Sequence, residues 1–319
     1  MPRHPFRLSG KTRILGVEMS EQGAALVRSA SNKNTPRIID ADFCTWREEE
    51  ERSRALSRKV RELGAHRTPV VSTLSPQTYQ LLQIQAPNVK DSEMRMAVGW
   101  QIKDLIDYPL QDTVIDYFPA PDSPGLGKMV YVVAAEMRAV REQADLLQSA
   151  RLKIQSIDIA ELALRNIVFQ QENSDAGLAL LHMEQETGLI LIFKNKTLYV
   201  ARRLRSGLSH LLQSGSAEPE NSEILESEEQ EGAAFESVLL DLQRTLDYFE
   251  SNFRAPPVGN LFLAPQLGDI PELQSHLQNN LDLSVRLLDI AQLLGEDLSY
   301  AEQGRCLLAL GSALRSGEG

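Results

Sequence analysis

The chain has 319 residues, of which 44 are Asp or Glu and 33 are Lys or Arg, giving a formal net charge of -11. That length favours two lobes over one core, and the acidic balance argues against a broad nucleic-acid surface, which needs a concentrated positive patch. No apolar run is long enough to span a bilayer and the start lacks the hydrophobic stretch of a signal peptide; with two widely spaced cysteines, Cys44 and Cys306, the cytoplasm is the expected location.

Residues 1–13 read as a charged, solvated tail. RILGVEMS, GAALVRSAS and PRIIDADFCTW follow as three short strands separated by turn-like residues. Arg47 to Ala65 reads as a charged helix closed by Gly64, with a narrow apolar stripe of Leu56, Val60 and Leu63. TPVVSTLSP and TYQLLQIQAP are two more strands. Ser92 to Phe118 is then a helix feeding into a strand. Asp91 or Ser92 is its expected cap, Met94, Val98, Ile102 and Leu105 its buried face, and Tyr108-Pro109 its stop, since the residue before proline is pushed out of the helical region.

Past Pro109 come the strand VIDYFPAP, the loop DSPGLG, the strand KMVYVVAAE, a helix from Met137 to Ala150, the strand RLKIQSIDI and the helix AELALRNIVFQQ. We read residues 14–173 as a first lobe carrying a small α/β subdomain inserted over about 110–156, and the polar ENSDAG as the break between lobes. The second lobe, 174–319, opens with three strands and a turn at Asn195-Lys196, echoing the opening of the chain. Residues 213–234 are acid-rich and read as a solvated, flexible loop. Phe235, Leu239, Leu242, Leu246, Phe249 and Phe253 mark one face of a helix stopped by Pro256-Pro257. The strand NLFLAP, a helix from near Pro271, the strand SVRLLDI and a helix containing CLLALGSALR complete the order.

Few constellations carry chemistry. Gly125-Leu126-Gly127-Lys128 lacks the upstream glycine of a phosphate-binding loop and reads as a hairpin. The five histidines share no ligand spacing, which leaves a metal site unsupported, and no serine sits in a nucleophile elbow. Asp104 with Asp107, and Asp241 with Asp247, read as solvated helix-face charges rather than acid/base pairs.

The order of elements, the two similar openings and the insertion resemble the two-lobed actin-like ATPase fold, a ribonuclease H-like α/β architecture. Five segments sharpen the likeness: Trp100-Gln101 on a helix, the Tyr108-Pro109 stop, Asp116-Tyr117 on the next strand, VVAAE at Val132 to Glu136, and IQSIDIAELALRN, with ALGSALR closing the chain. In these the chain resembles the PilM branch of type IV pilus assembly proteins, and within it the MshI proteins of MSHA-pilus biogenesis. There a glycine-containing last helix closes on the nucleotide cleft.

The resemblance implies two phosphate turns and an adenosine motif. The first turn falls on Gly16, Val17, Glu18, Met19 and Ser20, followed by Gly23 and by Ala25 in place of a basic residue; the second on His182, Met183 and Glu184; the third on Ala264, Pro265 and Gln266, with Gly268 displaced. All three depart from the family pattern. We therefore expect no catalytic residue, no metal and no cofactor, ATP with magnesium being disfavoured. The alternative is an ATP-binding switch or weak ATPase in which Glu18, the acid of the first turn one carbon longer than the family's aspartate, coordinates magnesium and amides around Ser20 to Gly23 hold phosphate. The resemblance further implies a partner: the N-terminal cytoplasmic tail of a PilN-like single-pass inner-membrane protein, held between the first lobe and the insertion. It also implies membrane attachment only through that partner and a link to the pilus assembly ATPase. Trp100, Tyr108, Tyr117 and Tyr131 are the candidate groove residues, each of which taken alone reads more readily as a core aromatic. A second alternative is a GspL-like type II secretion component, a family that continues into a transmembrane helix and a periplasmic domain, neither of which precedes Gly319.

Overall fold

The computed structural model describes residues 12–32, 35–123, 127–171, 177–213, 224–295 and 298–315. Strands β1 (Thr12–Met19), β2 (Gly23–Asn32) and β3 (Thr35–Thr45) form an antiparallel meander; β4 (Pro69–Thr73) and β8 (Lys153–Asp158) extend it in parallel, giving the order β3-β2-β1-β4-β8. The second lobe repeats this plan with β9 (Leu178–Met183), β10 (Gly188–Lys194), β11 (Thr197–Leu204), β12 (Asn260–Leu263) and β13 (Ser284–Leu287), in the order β11-β10-β9-β12-β13. A third sheet, β5-β7-β6, joins β5 (Tyr79–Gln85), β6 (Thr113–Ser123) and β7 (Gly127–Glu136).

Side-chain alternation decides what covers each face. In β2, Ala24 and Leu26 pack with α1 (Arg52–Glu62) and α3 (Met137–Ser149), whereas Ala25 and Val27 turn to α4 (Ala160–Gln171) and α9 (Tyr300–Ala313). Strand β9 is buried at every position: Leu178 and Leu180 meet α4 and α9, while Ala179, Leu181 and Met183 meet α6 (Ile224–Phe253) and α7 (Pro271–Asn280). Continuous apolar strands are what a doubly covered sheet requires. Helices α4 and α9 thus form a layer between the two large sheets.

Helix α9 sits close against the first sheet. A Cβ on Gly16 would overlap the Ala309 carbonyl and lie 2.6 Å from the Ala313 nitrogen; one on Gly311 would overlap the Ala163 carbonyl of α4. Its last carbonyls, which no helical amide reaches, take side-chain donors: Ser29 Oγ to Ala313 O at 2.6 Å and Asn166 Nδ2 to Gly311 O at 3.0 Å. Arg315 just beyond pairs with buried Asp158 at 3.0 Å. Cys44 and Cys306 are both buried and not joined to each other.

Several boundaries differ from the sequence reading. Strand β5 belongs to the small sheet, because β7 runs between β5 and β6 with Tyr79 opposite Ala135, and β8 belongs to the first lobe's sheet beside β4, not to the insertion. Helix α1 begins at Arg52 after a short 3-10 turn. Helix α2 (Asp91–Ile102) has Lys90 as its N-cap residue, with no side-chain cap, and ends well before Tyr108-Pro109. A turn follows, with the Leu105 N–H on Ile102 O at 2.8 Å, and Gln80 of β5 holds the segment beyond it: its amide oxygen takes the Asp107 N–H at 2.9 Å and its nitrogen donates to Asp107 Oδ2 at 2.7 Å. Leu105, expected on the buried face, is consequently exposed. Helix α6 begins at Ile224, inside the stretch expected to be a loop, and a short α5 (Leu208–Gln213) precedes it. The remaining acid-rich positions 214–223, the first eleven residues, and parts of the DSPGLG loop and the lobe break lie outside the described residues. The last short helix is α8 (Ala291–Leu294).

Candidate functional site

The two β-hairpins at equivalent ends of the large sheets face each other across a cavity of about 460 Å³. Leu15 and Val17 point to α1 and α3, so Gly16 and Glu18 lie on the opposite face of β1, toward α9. In β9, His182 shares a face with Leu180, and Glu184 follows at the start of the next turn, where its amide donates to Thr187 O at 2.7 Å. Both carboxylates therefore project from inner faces into one space. Ser20, Gln266 and Arg305 are among the other lining residues, and Arg305 lies over the Phe43 ring at 5.7 Å.

The electrostatics follow from this arrangement. Burial, reinforced by Glu184, pushes Glu18 up to about 8, against hydrogen bonds from the backbone amides of Leu308 and Ala309 in α9. Burial likewise lifts Glu184 to about 7, against the pull of Arg203 and a hydrogen bond from Thr187. Desolvation pushes His182 down to about 4, so the ring is neutral near pH 7. Gln266, which the sequence reading noted only as a departure from a glycine motif, holds this wall together: its Nε2 reaches His182 Nδ1 and Met183 O, each at 2.7 Å. Behind Glu184 lies a second buried acid that the sequence did not single out. Tyr79 donates to Glu161 Oε2 at 2.5 Å, and Arg203 covers the Tyr79 ring at 5.5 Å. Only their spacing in the folded chain relates these residues.

Other positions matched to the nucleotide turns do other work. Gly23 lets β2 approach Cys44, Gly268 lies against the Tyr300 ring, and Gly16 admits α9. Ser20 closes the first hairpin, its amide donating to Gly23 O at 2.8 Å. Among the described residues, no group of three His, Cys, Asp or Glu side chains is disposed to hold a metal.

The four aromatic candidates do not converge. Trp100 is 62% exposed on the outer side of α2, with Lys103 Nζ 5.7 Å from the ring centre. Tyr117 is half-buried under α2 with Val98 and Ile102. Tyr131 points through the other face of the small sheet, where it is buried, stacks on Phe118 at 5.3 Å and donates to Tyr199 O of β11 at 2.8 Å. It is a core contact joining the small sheet to the second lobe, not a groove residue. Tyr108 is half-buried, its hydroxyl pushed up by desolvation and by Glu136.

A family model described as type IV pilus assembly protein PilM matches residues 17–214, more than half of the chain. The chain belongs to the PilM family. Among solved structures, this PilM-family chain is similar to the PilM-PilN type IV pilus biogenesis complex, with 22% identity, a TM-score of 0.73, and coverage of 96% of this chain and 99% of that one. It is also similar to a Bacteroides thetaiotaomicron protein of actin-like ATPase fold (11% identity, TM-score 0.51, covering 89% and 95%). The cytoplasmic domain of EpsL from the Vibrio cholerae type II secretion system matches at 14% identity and a TM-score of 0.44, covering 66% and 79%. The architecture is thus actin-like. No curated protein matches the chain. Among the described residues, no helix is long and apolar enough to cross a membrane.

Proposed function

We propose that this PilM-family chain is a non-catalytic cytoplasmic scaffold of the type IV pilus assembly machinery that holds the N-terminal cytoplasmic tail of a PilN-like inner-membrane protein. It would be membrane-associated only through that partner and would link it to the assembly ATPase. The pilus we assign it to is the MSHA type, the branch its sequence resembles. The observation that carries the reading is an uncovered apolar face on the inserted subdomain. Met96 and Trp100, one turn apart on α2, are 66% and 62% exposed. A large aromatic flanked by aliphatic side chains is the usual centre of a peptide-binding surface.

A synthetic peptide of the tail is expected to bind the full chain, and Trp100→Ala to weaken binding at least tenfold, as for an aromatic hot spot, without lowering the melting temperature. Fluorescence anisotropy of the labelled peptide measures this. Equal affinity for wild type and variant would remove the α2 face from the proposal, and no binding of any such tail would remove the scaffold reading.

The cleft supports the non-catalytic half of the proposal. A magnesium nucleoside triphosphate fits the residues present poorly: the second turn places Glu184 in the cavity where a phosphate would sit, a second carboxylate faces it from Glu18, and the position of the usual basic residue is buried Ala25. Titration with a fluorescent ATP analogue and magnesium is expected to give no saturable binding in the micromolar range. Magnesium-dependent micromolar binding that is lost in Glu18→Ala would overturn the reading in favour of an ATP-binding switch.

A further inference from the structure

The hydrogen-bonding character of the cleft can be read atom by atom. Gln266 Nε2 donates to Met183 O, which settles which end of the amide is nitrogen. The same nitrogen faces His182 Nδ1, so Nδ1 accepts and the neutral ring carries its proton on Nε2. Three atoms of cavity-lining side chains are then buried without a hydrogen-bond partner among the described residues: Glu18 Oε2, Gln266 Oε1 and His182 Nε2, the last on a residue only 4% exposed. Two are acceptors and one is a donor. Glu184 and Asp269 add further acids to the wall, and among the described residues Arg305 is its one lining cation. A phosphate cradle presents donors and positive potential; this cleft presents largely the reverse.

We propose that the cleft binds a small organic cation bearing N–H donors, an alkylammonium of the polyamine type, with its ammonium between Glu18 and Glu184 and a hydrogen bond to Gln266 Oε1. Ammonium groups supply what the two orphaned acceptors lack, and the His182 N–H is left for a water or for an acceptor on the ligand. A cavity of about 460 Å³ is of ordinary size for a small-molecule site. A bare metal ion suits the wall less well, because His182 with its proton on Nε2 and its Nδ1 engaged by Gln266 has no lone pair to offer. The proposal does not depend on which protein partner the chain holds.

Isothermal titration calorimetry on the full chain at pH 8.5 tests it with spermidine, putrescine and tetramethylammonium. The groups facing Glu18 and Glu184 are each other, neutral His182, Asp269 and Arg305 on the walls, and Glu161 and Arg203 behind Glu184. Affinity is accordingly expected to fall as the pH is lowered to 6 and the two carboxyls take up protons. Spermidine is expected to bind at one site and to weaken at least tenfold in Glu18→Gln and in Glu184→Gln. Tetramethylammonium, a cation without N–H, is expected not to bind. Replacing Glu228, Glu229 and Glu231 by Gln leaves the site binding unchanged. No saturable heat from either amine would mean that water alone fills the cleft and would overturn the proposal. So would equal binding of tetramethylammonium, or binding that survives both cleft variants and disappears in the acidic-run variant. Melting curves establish that each variant folds, and Glu184→Gln alone suffices if the Glu18 variant does not.

Discussion

Glu18→Gln is expected to raise the melting temperature at pH 8.5 and to leave it nearly unchanged at pH 5. A carboxyl held at about 8 in the folded protein, against 4.5 when unfolded, binds its proton more tightly in the native state over the whole interval between. Stability from this group is therefore fully present below about pH 4.5 and is lost as the pH rises through 8. At pH 8.5 the fold carries a half-buried anion facing a second one. Removing it with an isosteric neutral amide recovers on the order of 2–4 kcal/mol, since each unit of displacement corresponds to about 1.4 kcal/mol. Glu184→Gln should act in the same direction over a narrower window, ending near pH 7. Differential scanning calorimetry at the two pH values is the measurement. A variant less stable than wild type at pH 8.5 would mean that the backbone hydrogen bonds from Leu308 and Ala309 outweigh the burial and the facing Glu184.

Gly16→Ala is expected to be among the most damaging single-methyl changes in the chain. The added carbon meets backbone on both sides, the Ala309 carbonyl and the Ala313 nitrogen, and backbone cannot swing aside as a side chain does. Either α9 or β1 must move, and both are sealed into buried layers. Overpacking of this kind costs about 3 kcal/mol or more, which lowers the melting temperature of a domain this size by roughly 6–12 °C. Gly259→Ala is the control, because a Cβ there meets nothing within 4 Å. Circular dichroism melts of the two variants beside wild type decide the matter; a Gly16 variant melting like the Gly259 one would show that α9 does not seat on β1 as described.

Much of this architecture was legible in the sequence, and the exceptions have physical reasons. Strands such as LALLHM and GLILIF announce doubly buried sheet by composition alone, and the repeated three-strand openings of the two lobes correspond to two sheets of the same order. What periodicity does not carry is strand partnership. Strand β5 alternates as a strand should, yet nothing local says that it pairs with β7, about fifty residues on. The segment between the end of α2 and Pro109 reads as helix by periodicity, whereas it is held as a turn-rich stretch by a side chain from another strand, Gln80 on Asp107. Glu18 reads as the acid of the first resembled turn, one carbon longer, and Glu184 as an anion out of place in the second, but that they look into the same space is a property of the folded lobes. The Gln266 bridge to His182 left no signal, since glutamine at a turn is unremarkable until its partners are known.

The seating of α9 also bears on the order in which the molecule can assemble. The inner face of the β1–β2 hairpin is covered by residues 300–313, and the hydrogen bonds that lock it, from Ser29 to Ala313 and between Thr73 and Ser312, span 284 and 239 positions. While the chain is being synthesised, that face stays uncovered until residues 300–313 have left the ribosome. Closing such long loops is slow, and exposed sheet in the meantime is an aggregation hazard. Strands β1 and β2 are thus completed only by a helix made 284 positions after Ser29.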